Sequence, residues 1–388
     1  MAKIEKDNLV ITRDGKEFTV SAMAPVIVSA SRSTDIPAFF AKWFIERLKA
    51  GYCVWLNPFN QKPFFVSFKK TRAIVFWTKN PKPLMQYLPI LDEMGINYYF
   101  QFTLNDYDAE GFEPHVLKLE KRIEIFKELP QKIGPDIVIW RFDPLIITPK
   151  LNTHALCEKI WHLGNKLQGF TYKLVFSFID VAAYKKVQNN LVKSGIFTKE
   201  NVLSAESNLE QKLEIAMYLS KCRDAWHKKG WKIELSTCAE GIDLKDYGIT
   251  HNSCIDGDLL YRLFADNDSE LRDFLEQGFK LKKSSRGGKS SINEGLQLDL
   301  FSSIENSVQS YDADCEQDKA IIDNHKLKDK GQRDECGCVL SKDIGMYNTC
   351  SHGCIYCYAI TSPEAVRKNQ DKFRNASSSI LPIEVENV

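Results

Sequence analysis

Six short apolar runs punctuate the first 240 residues: Pro25–Ser31 (PVIVSAS), Ala73–Asn80 (AIVFWTKN), Ile96–Asn105 (INYYFQFTLN), Asp136–Pro144 (DIVIWRFDP), Lys173–Asp180 (KLVFSFID) and Trp231–Cys238 (WKIELSTC). They are rich in β-branched and aromatic residues and mostly continuous in hydrophobicity, the pattern of strands buried on both faces. Each run ends in polar residues, in order SRSTD, TKN, TLND, RFDP, FID and STCAE. In a parallel sheet such tips gather at the carboxyl ends of the strands, where α/β proteins build their sites.

The segments between the runs read as helices. Ile36–Ala50 has Asp35 as N-cap, Pro37 in its first turn and Gly51 as its stop. Pro83–Met94 stops at Gly95, and Pro114–Leu129 carries Val116, Leu119, Ile123 and Phe126 at helical spacing before Pro130. Thr153–Leu167, Val181–Lys193 and Leu209–Lys229 each end close to a glycine. Strand–helix alternation repeated in this way predicts an α/β fold, a (βα) barrel of about six to seven parallel strands, partial or full and TIM-like. A doubly wound open sheet is the alternative, although no glycine-rich nucleotide cradle follows the first run. Tyr52–Phe68 reads as an inserted hairpin turning at Asn57–Lys62.

After Cys238 the pattern changes. Asp256–Phe264 and Glu270–Glu276 read as short helices, and Ser284–Glu335 as a polar connection with one short helix near Gln317–Asn324. The predicted organisation is an N-terminal extension (1–24), a barrel body (25–283), a flexible linker or insertion (284–335), a C-terminal segment completing the barrel (336–376) and a loose tail (377–388).

Composition adds three constraints. Lys plus Arg total 52 and Asp plus Glu 51, so the net charge of +1 gives no support to a nucleic-acid or membrane partner. No apolar run is long enough to span a membrane and the first residues lack a signal core, so a cytoplasmic protein is expected. In that compartment 11 cysteines are not disulfides by default, and five of them fall between Cys336 and Cys357.

Cys350, Cys354 and Cys357 stand as C-x3-C-x2-C in NTCSHGCIYCYA. Three thiolates so spaced can each hold one corner of a [4Fe–4S] cluster and leave one iron open. Zinc is the bland alternative, but it usually takes four ligands and a C-x2-C pair. Cys336, Cys338, Cys238 and Cys254 remain as ligands for a second [4Fe–4S] cluster or a zinc ion, with His251 as a substitute ligand; equally, they are ordinary buried thiols. Cys53, Cys157, Cys222 and Cys315 carry no assigned role.

The triad, with Tyr356 directly before its third cysteine, is similar to the signature of the radical S-adenosylmethionine superfamily. That resemblance implies a barrel, a cluster whose open iron chelates S-adenosylmethionine, and reductive cleavage to a 5′-deoxyadenosyl radical that abstracts hydrogen from substrate. It further implies an electron donor such as flavodoxin or ferredoxin and a small-molecule or peptide substrate. The superfamily's motif follows the first strand, whereas here it follows Ile344–Thr349 near the C-terminus. The resemblance therefore implies a circularly permuted barrel in which Ile344–Thr349 precedes the cluster loop and Pro25–Ser31 is the next strand round. IVFWTKNP, INYYFQFTL and the cluster loop are also similar to spore photoproduct lyase. SASRSTDIPAFF at the front, with CGC, YNTC and CIYCYA at the back, resembles a bacterial family named only as domain of unknown function 1848, over most of Ala24–Lys283 and Lys328–Ala359.

Under that resemblance Ser29, Ser31, Arg32, Thr34 and Asp35 form the cofactor loop, Asp35 being equally a plain helix cap. Thr78, Lys79 and Asn80 end the next strand; Lys79 can neutralise a carboxylate or phosphate, or simply be solvated. Gln101 and Thr103 are candidates for the ribose. Arg141 in an apolar strand needs a counter-charge, which is either a bound anion or Asp143. Lys79, Arg141 and Asp143 are the catalytic candidates, with Glu240 and Asp243 weaker. Tyr356 and Tyr358 read as packing around the cluster, and His352 as incidental. Two alternatives to radical chemistry on a small molecule stand beside it: an iron–sulfur or zinc barrel that only binds, and a nucleic-acid repair or modification enzyme. The latter would use the basic Lys280–Lys289 segment, although solvated lysines are the commoner reading.

Overall fold

The computed structural model describes residues 3–13, 15–278, 327–375 and 377–381. Eight strands form one parallel sheet: β3 (Ile27–Ala30), β6 (Ala73–Thr78), β7 (Asn97–Thr103), β8 (Val138–Leu145), β9 (Lys173–Phe178), β10 (Glu234–Cys238), β11 (Ile249–Asn252) and β12 (Lys342–Asp343). The six apolar runs are β3 and β6–β10, and they lie side by side in chain order. β11 extends one edge beside β10. β12, from near the C-terminus, pairs in parallel with β3, Lys342 against Val28 and Asp343 against Ser29.

Two expectations are corrected. The parallel sheet has eight strands rather than six or seven, and among the described residues it does not close: β11 and β12 are its edges. The strand near the C-terminus is only Lys342–Asp343, because the chain leaves the ladder where Thr34 Oγ1 accepts the Met346 N–H (2.9 Å) and donates to the Met346 carbonyl (2.8 Å).

Period-two alternation assigns the two faces. Val28, Ile74, Phe76, Phe100, Trp140, Phe142, Leu174 and Phe176 pack in the larger core, with α2 (Ala41–Lys49), α5 (Leu119–Ile133), α6 (Thr153–Leu167) and α8 (Leu209–Lys228). Ile27, Val75, Tyr99, Ile139 and Val175 face the other way. There they meet Leu259 and Leu260 of α9 (Gly257–Phe264), Leu271 and Leu275 of α10 (Ser269–Glu276), and Leu327 and Val339. This second face is thus buried by two helices and a loop, a way of removing apolar surface from water that does not require the sheet to close on itself.

Helix boundaries shifted for local reasons. Ile36–Ala50 is two helices, α1 (Ile36–Phe39) and α2, broken at Phe40. Pro83–Met94 is likewise α3 (Lys82–Met85) and α4 (Leu88–Glu93). The helix expected over Val181–Lys193 is α7, which spans Lys185–Lys193. α5 begins at Leu119 and continues through Pro130 to Ile133, ending at Gly134 with φ +94°. The inserted hairpin is β4 (Tyr52–Leu56) and β5 (Pro63–Ser67), Leu56 opposite Pro63. It joins β1 (Glu5–Arg13) and β2 (Lys16–Ala24) in a four-stranded sheet of order β1-β2-β5-β4, so the N-terminal extension is a folded hairpin.

The segment after the cluster loop carries α11 (Pro363–Lys372), and residues 377–381 dock on the core, where the Ser377 carbonyl accepts Trp43 Nε1–H (2.8 Å) and the Ser378 carbonyl accepts Val54 N–H (2.8 Å). Among the described residues no helix is long and apolar enough to cross a membrane. The expected helix near Gln317–Asn324, Cys315 and the basic Lys280–Lys289 segment lie outside the described residues.

Candidate functional site

The alternation that sends Ile27, Val75, Tyr99, Ile139 and Val175 to the second face sends the polar residues beyond them the same way. Ser29 and Ser31, Trp77 and Lys79, Gln101 and Thr103, Arg141 and Asp143, Ser177, and Cys238 therefore share one face at the carboxyl ends of the strands. Over them lies a cavity of about 790 Å³. Seven cysteines line it: Cys350, Cys354 and Cys357 from the loop after β12, Cys238 from the tip of β10, Cys254 just past β11, and Cys336 and Cys338 from the segment before β12. The other described cysteines, Cys53, Cys157 and Cys222, are buried in the main core.

The triad loop is pinned to the sheet on two sides. On one, His352 Nε2 lies 2.7 Å from Asp35 Oδ2, and its ring packs 4.7 Å from that of Phe39. A carboxylate only accepts, so Nε2 carries the proton. The same oxygen accepts the Lys79 N–H (2.7 Å), and Asp35 Oδ1 caps α1 through the Ala38 N–H (3.0 Å). Asp35 is thus both helix cap and loop anchor, and His352 is structural rather than incidental.

On the other side a buried polar cluster sits beneath Tyr356. Glu113 accepts from Lys79 Nζ (2.7 Å), Asn105 Nδ2 (2.8 Å), the Tyr356 hydroxyl and, at 3.4 Å, Arg122 Nη1. Burial alone would raise the Glu113 carboxyl, but Lys79 and Arg122 overturn it and hold it at about 2. Lys79, expected at a strand tip facing ligand or solvent, spends its ammonium on Glu113 and on Tyr356 Oη (3.0 Å).

The front of the site is organised by Asp343. Its carboxylate accepts from Ser29 Oγ (2.6 Å), Ser31 Oγ (2.9 Å), Arg32 N (2.8 Å) and Gly345 N (2.9 Å). Gly345 permits the approach: a Cβ there would stand 1.7 Å from Ser31 Oγ. Of the proposed cofactor residues, Ser31, Arg32, Asp35, Thr78 and Thr103 line the cavity. Ser29 is committed to Asp343, and the Thr78 hydroxyl accepts the Asn80 N–H (2.9 Å). Gln101 stands apart from the lining, with its amide donating to the Cys254 carbonyl (2.9 Å).

Arg141 and Asp143 form an ion pair, and Arg141 Nη1 also reaches Cys254 Sγ at 3.0 Å. Asp143 is further bonded by Ser177. Glu240 lines the cavity and accepts the Phe178 N–H (2.9 Å), whereas Asp243 and His251 are exposed and away from it. His251 therefore takes no part in the second cysteine set; it lies on the outward-facing middle of β11.

Burial pushes the Cys350 thiol up to about 12 and raises Cys354 and Cys357 as well, with Lys79 pulling the last two down. As free thiols they are protonated at neutral pH, so metal binding here must displace protons. In the second set Cys238 Sγ lies 2.9 Å from Cys254 Sγ. Hydrogen bonds from the Cys238 and Cys338 thiols, with Arg141 and Arg32 nearby, draw Cys254 well below the usual thiol range. Among the described residues no three or more His, Cys, Asp or Glu side chains already stand in metal-ligating geometry.

Asp343, Glu113 and Asn105 were missed from sequence. Asp343 had a signal, a lone acid between the CGC and cluster motifs; Glu113 and Asn105 had none.

The chain matches the family described as Domain of unknown function (DUF1848) over residues 27–359, and it belongs to that family. No curated protein matches it.

Proposed function

We propose that this protein is a radical S-adenosylmethionine enzyme whose catalytic [4Fe–4S] cluster is held by Cys350, Cys354 and Cys357. The observation that carries the reading is the placement of that C-x3-C-x2-C loop over the carboxyl ends of a parallel sheet, its three thiols facing one cavity of about 790 Å³. That volume suits a cofactor and substrate together. The donor set fits the cluster, because three soft thiolates leave one iron free. Two buried polar atoms at the cavity, Arg32 Nη2 and His352 Nδ1, have no partner, as expected of groups that meet a bound ligand or its waters.

On this reading the eight-stranded sheet is a partial (βα) barrel and the chain is circularly permuted, β12 and the cluster loop standing where the superfamily begins. When bound, the cluster and S-adenosylmethionine supply one-electron cleavage and a hydrogen-abstracting radical. The protein's part is to hold them. Asp35 and the Glu113 cluster fix the loop from both sides, Asp343 orients the Ser29–Arg32 strand end, and Ser31, Arg32, Thr103 and Asp143 offer polar contacts to cofactor and substrate. Trp77 and Tyr356 form apolar walls that limit water at the reacting centre.

Anaerobic reconstitution followed by S-adenosylmethionine and dithionite tests the proposal. 5′-Deoxyadenosine should form, and Cys354→Ala should abolish both it and the iron of this cluster. An intact cluster that releases none would leave the binding-only alternative. A nucleic-acid substrate rested on Lys280–Lys289 and gains no support from the cavity, which holds carboxylates as well as cations.

A further inference from the structure

We propose that Cys238, Cys254, Cys336 and Cys338 ligate a second iron–sulfur cluster, distinct from the one at Cys350, Cys354 and Cys357. The inference does not depend on radical chemistry at the first.

Three separate stretches of chain are brought together to place these thiols. Cys238 ends β10, and its register partner on β11 is Asn252, two residues before Cys254. The segment carrying Cys336 and Cys338 is tied to this corner by backbone bonds. Val339 N–H donates to the Ile255 carbonyl (3.1 Å), and Ile255 N–H donates to Cys338 Sγ (3.2 Å). The glycine of the CGC motif has a reason as well. A Cβ at Gly337 would meet Ser253 Oγ at 2.4 Å, so a larger residue there requires the Ser253 hydroxyl to turn away.

The sulfurs are furnished with N–H donors beyond what buried thiols need. Besides the Ile255 N–H on Cys338 Sγ, Cys254 Sγ receives Arg141 Nη1 (3.0 Å) and Asn252 Nδ2 (3.5 Å), and the Arg32 guanidinium is near enough to interact electrostatically with Cys338 and Cys254. N–H···S bonds of this kind stabilise ligating thiolates and tune the centre they hold. Two guanidinium groups also offset the negative charge of a four-thiolate centre. Four cysteines would also suit structural zinc, but zinc has no redox chemistry, whereas all four of these cysteines line the cavity shared with the triad. That favours iron–sulfur over zinc. Four protein thiolates leave no iron open, so this centre would not chelate a ligand as the first does.

The full chain, purified and reconstituted without oxygen, should hold about eight irons, and a Cys350/Cys354/Cys357→Ala variant about four. The variant should also show the electron-paramagnetic signal of a reduced cluster after dithionite. Cys336→Ala with Cys338→Ala should remove that signal while far-ultraviolet circular dichroism stays native. Where the triple variant fails to fold, the wild-type iron count and a Cys238→Ser shift of one of two cluster signals decide. Four irons in the wild type, zinc in the triple variant, or a metal-free folded chain with Cys238 and Cys254 cross-linked would each overturn the proposal. The readouts are iron and spin, so failure to make 5′-deoxyadenosine leaves this inference standing, and loss of the second centre leaves the first reading intact.

Discussion

His352 and Asp35, 317 positions apart in the chain, are joined by a hydrogen bond of 2.7 Å, both side chains being buried. The bond couples the cysteine loop to the turn after the first parallel strand. Asp35 serves three donors at once: the end of α1, the backbone of Lys79 and the His352 ring.

Asp35→Ala should therefore cost about 3 kcal/mol, about 1 for the lost cap and the remainder for two buried donors left unpaired. Asp35→Asn should lose less, because its amide oxygen keeps the cap and its NH2 can donate to the other His352 tautomer, leaving the Lys79 N–H as the one donor without its acceptor. Urea denaturation of the two variants checks the order.

Glu113→Gln strands Lys79 in the interior without its counter-charge, while Arg122 keeps Asp108 (2.7 Å), and should destabilise by about 3–5 kcal/mol. The pH dependence follows in sign. Glu113 is held at about 2, below its unfolded value of 4.5, so its contribution is fully present above pH 4.5 and is lost as pH falls toward 2. The gap between wild type and variant should shrink by up to about 3 kcal/mol over that range. Paired denaturant titrations from pH 6 downward measure it; a gap constant with pH would be inconsistent with the ion cluster.

Gly345→Ala forces its Cβ against Ser31 Oγ and Ser33 Oγ, which would lie at 1.7 and 2.6 Å. The Asp343 network must open, at a cost of about 1–3 kcal/mol. Adding Ser31→Ala should restore only part of the stability, because the residue-31 Cβ, at 2.7 Å, and the Ser33 hydroxyl remain. Thermal melts of the single and double variants provide the comparison.

Lys342 stands over the Trp55 ring, its ammonium 3.0 Å from the centroid, and burial lowers it to about 8. The unfolded chain binds this proton more tightly, so wild-type stability rises between pH 8 and 10.5 through this group. Lys342→Met removes the titration. The wild type should gain up to about 3 kcal/mol on the variant across that window, read from denaturation midpoints at fixed ionic strength.

Much of the fold was legible because its signals are local. The six apolar runs became β3 and β6–β10 in order, Tyr52–Phe68 became a hairpin, and Thr153–Leu167 a helix with those ends. An arginine in an apolar strand was enough to call for a counter-charge at Arg141, which Asp143 supplies, and cysteine spacing was enough to separate the triad from the rest. Helix breaks such as Phe40 were not visible, because nothing in the local propensities of Ile36–Ala50 distinguishes one helix from two.

The sequence by itself determined the six central strands of the parallel sheet and that one loop carries three closely spaced thiols, since hydrophobic periodicity and short spacings are properties of neighbours. Only the tertiary structure decided that the sheet stays open with α9 and α10 on its second face, that Glu113 and Asp343 hold the site, and that seven cysteines from four places share one cavity. Those facts depend on contacts between residues tens to hundreds of positions apart. Such contacts are selected by burial and charge pairing across the whole chain, and no local pattern encodes them.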